Sequence, residues 1–155
     1  MILYLGTSSL VKLYVEEAGS ITIRQWVSEN EIVATCRIAY TEAIAALDMR
    51  FKKGDLQEKD YRRICEVFTS DWNNIAVVDF DEIEAGRLVK KYGLSRLDAI
   101  HLSAARKILS ADKMINVAFS SASEHLCKAA ASEGLKVLPL TYKHKGGIYI
   151  GRADG

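Results

Sequence analysis

Residues 97–105, with the sequence LDAIHLSAA, decide the fold of this chain. Small and apolar side chains recur here at helical spacing, which predicts a packed helix from Leu97 to Leu109. Asp98 is the only acid in the stretch, and at the start of a helix its carboxylate is expected to cap free backbone N–H groups. Carboxylate oxygens are also the ligands that Mg²⁺ and Mn²⁺ prefer. Asp98 is therefore either a helix cap or a metal ligand.

Outward from this stretch, short apolar runs alternate with helical segments. The runs predict strands at 2–5, 32–35, 74–78, 115–119 and 136–140. The segments between them predict further helices at 8–14, 20–28, 36–51, 58–70, 81–92 and 123–133. This alternation predicts an α/β fold, a three-layer α/β/α sandwich with a central, mainly parallel sheet. Ligands of such folds bind beyond the carboxyl ends of the strands.

Composition sets the outer limits of the function. The chain has 155 residues, enough for one domain, which we expect at 1–141 with a C-terminal tail at 142–155. A net charge of +1 gives no global attraction for nucleic acid, so any basic surface is local. The three cysteines are widely spaced, which favours free thiols over a disulfide framework or a zinc site. With no recognisable signal peptide or membrane span, we expect a cytoplasmic protein.

Glu42 is the second acid in apolar surroundings, within the helical sequence IAYTEAIAAL of residues 38–47. Burying an acid there is costly unless a partner or a cation neutralises it. The alternative is that Glu42 faces solvent, as most helical glutamates do. His101 follows Asp98 by one helical turn, and we interpret it as a satisfied structural group without a catalytic role. No GxSxG motif accompanies Ser8 or Ser9, which argues against a serine nucleophile.

Four segments together resemble the PIN-domain family, and within it the VapC-type toxins of bacterial and archaeal toxin–antitoxin pairs. The opening ILYLGTSSLVKLY resembles the first strand of the family and the turn that follows it, and TEA at 41–43 resembles its central glutamate helix. The segment from Tyr92 to Ala105 resembles its most recognisable motif, and 119–130 its last strand, turn and helix.

The resemblance implies a metal-dependent endoribonuclease that cleaves RNA phosphodiesters with Mg²⁺ or Mn²⁺ held by acids at one sheet edge. Glu42 and Asp98 would be its catalytic residues and metal ligands. Two positions depart from the family pattern. Gly6 stands where the first acid belongs, and Ser123 is the best match to the fourth. With fewer carboxylates, we expect the cation to be weakly bound or absent.

The resemblance also suggests supporting residues and partners. Thr7, Ser8 and Ser121 would position a carboxylate, water or phosphate. The expected partners are RNA, a cognate antitoxin protein and a second copy of the chain. An apolar face with Leu10, Leu13, Tyr14 and the Tyr40 region would form the homodimer interface. Of the basic residues, those nearest the expected site, and so the candidates for RNA contact, are Lys12, Arg37 and Arg96.

Two readings of the function stay open, and a third, an α/β hydrolase of small phosphates, ranks last because the sequence has no phosphate-binding loop. The first is a VapC-like ribonuclease toxin in which Gly6 is a change favoured during cloning, because an active toxin harms its expression host; a genomic glycine codon at position 6 would exclude that origin. The second is a catalytically inactive PIN-like module that binds RNA or a protein. Cleavage by the chain with Gly6 in place would exclude the second reading.

Overall fold

The computed structural model describes residues 1–144 and 147–150. In that part of the chain the strands are β1 Ile2–Leu5, β2 Ile32–Cys36, β3 Ala76–Val78, β4 Val117–Ser120, β5 Lys136–Val137, β6 Thr141–His144 and β7 Gly147–Ile150. The helices are α1 Thr7–Val11, α2 Ser20–Glu29, α3 Ala39–Lys52, α4 Glu58–Asp71, α5 Glu82–Tyr92, α6 Arg96–Ala111 and α7 Glu124–Ser132.

Five parallel strands form the central sheet, in the order β3-β2-β1-β4-β5. β1 is therefore the middle strand, and its last residue, Leu5, is paired with Ser120 at the end of β4. The carboxyl ends of these two neighbouring strands meet at one edge. Gly6 follows Leu5 and Ser121 follows Ser120, so both segments leave the sheet side by side.

Alternation along β1 builds the two cores of the molecule. Leu3 and Leu5 point to one face and pack with residues of α1, α2, α3 and α4. Tyr4 points to the other face and packs with residues of α5, α6 and α7. Successive side chains of a strand lie on opposite faces, so both sides of the sheet are covered by helices. The predicted three-layer α/β/α sandwich is confirmed.

The ends of several helices differ from the predicted ones. The first helix was expected to reach Tyr14, but α1 ends at Val11. After it, backbone hydrogen bonds run to the residue three positions earlier, as from the Tyr14 N–H to the Val11 carbonyl, which is a tighter turn than an α-helix. α3 begins at Ala39 rather than Cys36, because Cys36 still belongs to β2.

The expected dimer face is also corrected in part, since Leu10 is fully buried in the core and unavailable to a partner.

Leu140 is buried with the core and lies at the end of the domain expected at 1–141. β6 and β7 pair antiparallel as a separate two-stranded sheet. The end of the predicted tail, 151–155, lies outside the described residues, as do 145 and 146. None of the helices described is both long enough and apolar enough to cross a membrane.

Candidate functional site

Asp98 lies in the first turn of α6, but it does not cap that helix. The cap is Ser95, whose Oγ accepts a hydrogen bond of 3.2 Å from the backbone N–H of Asp98. The expectation that Asp98 is the cap is therefore wrong, because a serine three residues earlier already satisfies the N–H concerned. The Asp98 carboxylate is left for another partner and accepts a hydrogen bond of 3.2 Å from the Ser123 hydroxyl.

Glu42 lies in the first turn of α3, with its side chain 23% exposed. Its Oε1 accepts hydrogen bonds from the Thr7 hydroxyl, at 3.0 Å, and from the imidazole Nε2 of His101, at 2.9 Å. Glu42 is thus neither a solvated surface group nor an isolated buried acid. Two donors from α1 and α6 fix one of its oxygens at the sheet edge.

Buried residues that the sequence did not assign to the site stand behind Glu42. His101 is 3% exposed, and its two ring nitrogens contact Tyr4 on one side and both Glu42 and Thr7 on the other. The interpretation of His101 as a hydrogen-bonded structural group is consistent with these contacts. Its partnership with Glu42 was missed. The available signal was its position one turn after Asp98, on the inner side of the same helix.

Gly6 is buried at the point where β1 leaves the sheet, and its N–H donates to the Ser120 carbonyl at 2.8 Å. Its backbone angles, φ −65° and ψ 161°, are extended and open to any L-residue. A Cβ placed here would come no closer than 3.4 Å to the Ser120 carbonyl oxygen and the Ser121 Cβ, an ordinary contact distance. Neither conformation nor space requires glycine at position 6.

Serine hydroxyls line the neighbouring turn between β4 and α7. Ser8 Oγ lies 3.5 Å from Ser121 Oγ and accepts a bond from the Ala122 N–H at 2.9 Å. Ser121 Oγ in turn accepts from the Ser123 N–H at 3.0 Å. These hydroxyls hold the turn in shape, and they already use part of their bonding capacity within the protein.

The hydrogen bonds join the predicted site residues into one rim. Glu42 bonds to Thr7, and the next residue, Ser8, reaches Ser121. Ser121 bonds to the backbone of Ser123, whose side chain bonds to Asp98. Gly6 precedes Thr7 in the same rim. The fold thus brings together, at the carboxyl edge of the sheet, the acids and the supporting residues that the sequence singled out.

The three basic candidates are placed differently. Lys12 is 8% exposed, and its ammonium pairs with Glu17 at 2.9 Å, which leaves it little freedom to meet an outside ligand. Arg37 is exposed but pairs with Asp79 at 2.7 Å, and this bond lowers the pKa of the Asp79 carboxyl. Arg96 is exposed at the start of α6, two residues before Asp98.

The donor set does not fit a firmly held divalent cation. Within residues 1–144 and 147–150 there is no group of three or more histidine, cysteine, aspartate or glutamate side chains arranged to hold a metal ion. The rim contributes two carboxylates, and Oε1 of Glu42 already accepts two hydrogen bonds. A cation at this edge would depend largely on water for its remaining ligands.

Comparisons with known proteins identify the family and the fold of the chain. The family model described as PIN domain matches residues 3–114. Two proteins of Mycobacterium tuberculosis, ribonuclease VapC45 of strain CDC 1551 / Oshkosh and ribonuclease VapC49 of strain ATCC 25618 / H37Rv, are each 30% identical over 107 residues, or 67% of this chain and 74% of theirs. The solved structure of PAE2754 from Pyrobaculum aerophilum superposes with a TM-score of 0.53 at 15% identity, covering 83% of this chain and 87% of that one. This last likeness concerns the fold alone.

Proposed function

This chain belongs to the PIN-domain family, and from that premise we propose that it is a VapC-type nuclease that acts on RNA and whose site lacks the first acid of the family pattern. Glu42 and Asp98 are the proposed catalytic acids, and Gly6 marks the place of the missing one. The observation that carries the proposal is the hydrogen-bonded rim from Glu42 through Thr7, Ser121 and Ser123 to Asp98. The ribonuclease relatives supply the reaction class.

The residues of the rim have distinct proposed roles. Thr7 holds Glu42, and Ser123 holds Asp98, so that both carboxylates keep fixed directions at the edge. Ser8 and Ser121 shape the turn against which a phosphate would lie. Arg96 is the proposed phosphate contact, with Arg37 secondary because Asp79 competes for it. Lys12 is left out, since it is buried and paired with Glu17.

Mg²⁺ or Mn²⁺ is the proposed cofactor of the complete site, where it would activate water and stabilise charge on the phosphate. The chain with Gly6 does not fit such an ion, as the two-carboxylate donor set indicates. We therefore expect slow cleavage or none from the chain as it stands. The further partners that we propose are a cognate antitoxin and a second copy of the chain, in the cytoplasm.

A paired cleavage assay tests the proposal. The chain, Gly6→Asp and Gly6→Asn are incubated with a broad RNA panel and Mn²⁺ or Mg²⁺. The asparagine variant has the shape of the aspartate variant but no charge, so it isolates the carboxylate. Cleavage by Gly6→Asp alone, abolished when Asp98→Asn is added, is the expected result. A Gly6→Asp variant that cuts nothing, or a chain that cuts as fast with Gly6, would contradict the proposal.

A second candidate is a binding module that has lost catalysis altogether. It is favoured by the lack of a three-ligand metal group in the described part of the chain. This module would bind RNA or a protein without a divalent cation, and Gly6→Asp would not make it cut. The same assay, with RNA affinity measured in a chelator, separates the two candidates.

A further inference from the structure

Tyr4 is a fully buried phenol at the centre of the sheet, directly behind the rim. Its ring stacks on Phe119, with centroids 5.4 Å apart, and meets the His101 ring edge-on at 6.0 Å. Burial raises the pKa of the Tyr4 hydroxyl well above its ordinary value, so the phenol keeps its proton. Tyr4 therefore has one O–H to donate, and its oxygen lies 2.8 Å from Nδ1 of His101.

The partners of His101 define its tautomer. Nε2 lies 2.9 Å from Oε1 of Glu42, and a carboxylate can only accept, so Nε2 carries a proton. In a neutral imidazole the other nitrogen, Nδ1, then has a lone pair, which accepts the O–H of Tyr4. The hydroxyl of Thr7 donates to the same Glu42 oxygen at 3.0 Å. The hydroxyl proton of Tyr4, the Nε2 proton of His101 and the hydroxyl proton of Thr7 then each have an acceptor.

We propose that His101 is a positioning residue: held by Tyr4 as the Nε2–H tautomer, it fixes the direction of the Glu42 carboxylate. The bonds recorded for the Glu42 carboxylate in the described part of the chain all reach Oε1. With Oε1 clamped by His101 and Thr7, Oε2 is the oxygen through which Glu42 serves the site. The role of Oε2 rests on the proposed function of Glu42, whereas the tautomer of His101 does not depend on that function.

Two sets of variants separate positioning from packing. Tyr4→Phe removes only the phenol hydroxyl and keeps the stack on Phe119. At position 101, the amide nitrogen of glutamine reaches about as far as Nε2 and can donate to Glu42, whereas leucine fills similar space without a donor. His101→Gln is thus the conservative variant, and His101→Leu is the matched variant that cannot make the bond to Glu42.

The first experiment is imidazole ¹H–¹⁵N NMR on the full chain, with the His101 signals assigned by their absence in His101→Gln. We expect a proton on Nε2 and none on Nδ1, and a weaker preference for this tautomer in Tyr4→Phe. A proton on Nδ1, an imidazolium, or a tautomer unaffected by Tyr4→Phe would overturn the proposal. No RNA or metal is involved, so this result stands or falls independently of nuclease activity.

The second experiment is cleavage in the Gly6→Asp background, if that variant cuts. His101→Leu is expected to lower kcat about 10–100-fold, as loss of a supporting partner typically does, with little change in KM. His101→Gln is expected to recover most of that loss. Equal activity of the leucine and glutamine variants would refute the positioning role, whatever the cause of the shared effect.

Discussion

The hydroxyl of Ser123 connects two helices: it donates to the carboxylate of Asp98 in α6 at 3.2 Å and accepts the backbone N–H of Leu126 in α7 at 3.2 Å. Ser123 is both the N-cap of α7 and the partner of a proposed catalytic acid. The side chain of Ser123 therefore links the start of α7 to the Asp98 carboxylate.

Ser123→Ala should remove both bonds and lower the free energy of unfolding by about 1 kcal/mol, the usual cost of a lost N-cap. Ser123→Asp is the matched variant, because aspartate caps helices as well as serine does. Its own carboxylate would face Asp98, where like charges repel. Urea denaturation measures the free energy of unfolding of all three proteins. If capping outweighs the repulsion, the value for Ser123→Asp lies between those of the parent chain and Ser123→Ala. An unchanged value for Ser123→Ala would show that the cap contributes nothing.

Gly6→Asp should create a cation-dependent stability that the parent chain lacks. Without divalent ions, a further carboxylate in the rim that holds Glu42 and Asp98 is expected to lower the melting temperature relative to Gly6→Asn, because like charges repel. Added Mn²⁺ should raise it in Gly6→Asp, since a ligand that binds the folded state stabilises it by mass action. Thermal scans with and without Mn²⁺ measure this, and the same Mn²⁺ response in Gly6→Asn would contradict it.

Thr7→Val should loosen Glu42 without rearranging the core. The substitution removes the hydroxyl that donates to Oε1 of Glu42 and also lies 3.0 Å from Nε2 of His101, and it keeps a similar shape. A loss of about 1 kcal/mol in the free energy of unfolding is expected, typical for one hydrogen bond. Thr41→Val, at an exposed position on α3, is the control and should be nearly neutral. If both substitutions cost the same, the bond to Glu42 is not the cause.

A second cluster, remote from the rim, predicts how stability depends on pH. The side chain of Glu133 is 8% exposed and accepts bonds from Tyr92, Arg87 and Lys91. Burial alone would raise the pKa of Glu133, but these donors together lower it below the ordinary value of 4.5. Its contribution to stability is therefore complete above that pH and is lost as the pH falls through the lowered pKa.

Glu133→Gln should destabilise the protein at neutral pH by about 1–2 kcal/mol, because the ion pairs are lost while some hydrogen bonds remain. The difference from the parent chain should shrink as the pH falls below 4.5 and through the lowered pKa of the Glu133 carboxyl. Denaturation midpoints measured across this range check the sign. A difference that grows in acid would mean that the carboxyl is not held ionised by its partners.

RNA binding should depend on Arg96 and on salt. Since the chain with Gly6 is expected to cut slowly or not at all, its equilibrium affinity for RNA can be measured directly. Arg96→Ala should weaken binding and lower the slope of log affinity against log salt by about 0.7, the value for one phosphate contact on a single strand. Arg62, exposed on α4 and paired with Glu58, provides the control substitution. Equal effects at both positions would place the RNA elsewhere.

The sequence predicted the sheet and both acids because each leaves a local signal. Strands buried on both faces are short apolar runs, and Glu42 and Asp98 stand out as acids among small apolar neighbours. The sequence alone does not decide which residue caps α6, because serine and aspartate both cap helices well. Only the structure shows that Ser95 is the cap that forms.

The contacts behind the acids could not be read from the sequence. Tyr4 and His101 are 97 positions apart, and nothing local distinguishes a tyrosine that packs on a strand from one that fixes an imidazole. For Lys12 the sequence analysis suggested a contact that the structure does not favour. Its place near the expected site suggested RNA contact, but its burial and its ion pair with Glu17 depend on how α1 meets the following turn.

The extended backbone at Gly6 has a consequence for the evolution of this protein. Because a Cβ at this position would meet only ordinary contact distances on an extended backbone, the first atom of a side chain can be added here without moving the end of β1 or the turn after β4. Some glycine codons differ from an aspartate codon by a single base, so a carboxylate at position 6 can lie one point mutation away. Under the proposed function, that one base would switch the site between a silent and a cutting form without rebuilding the fold.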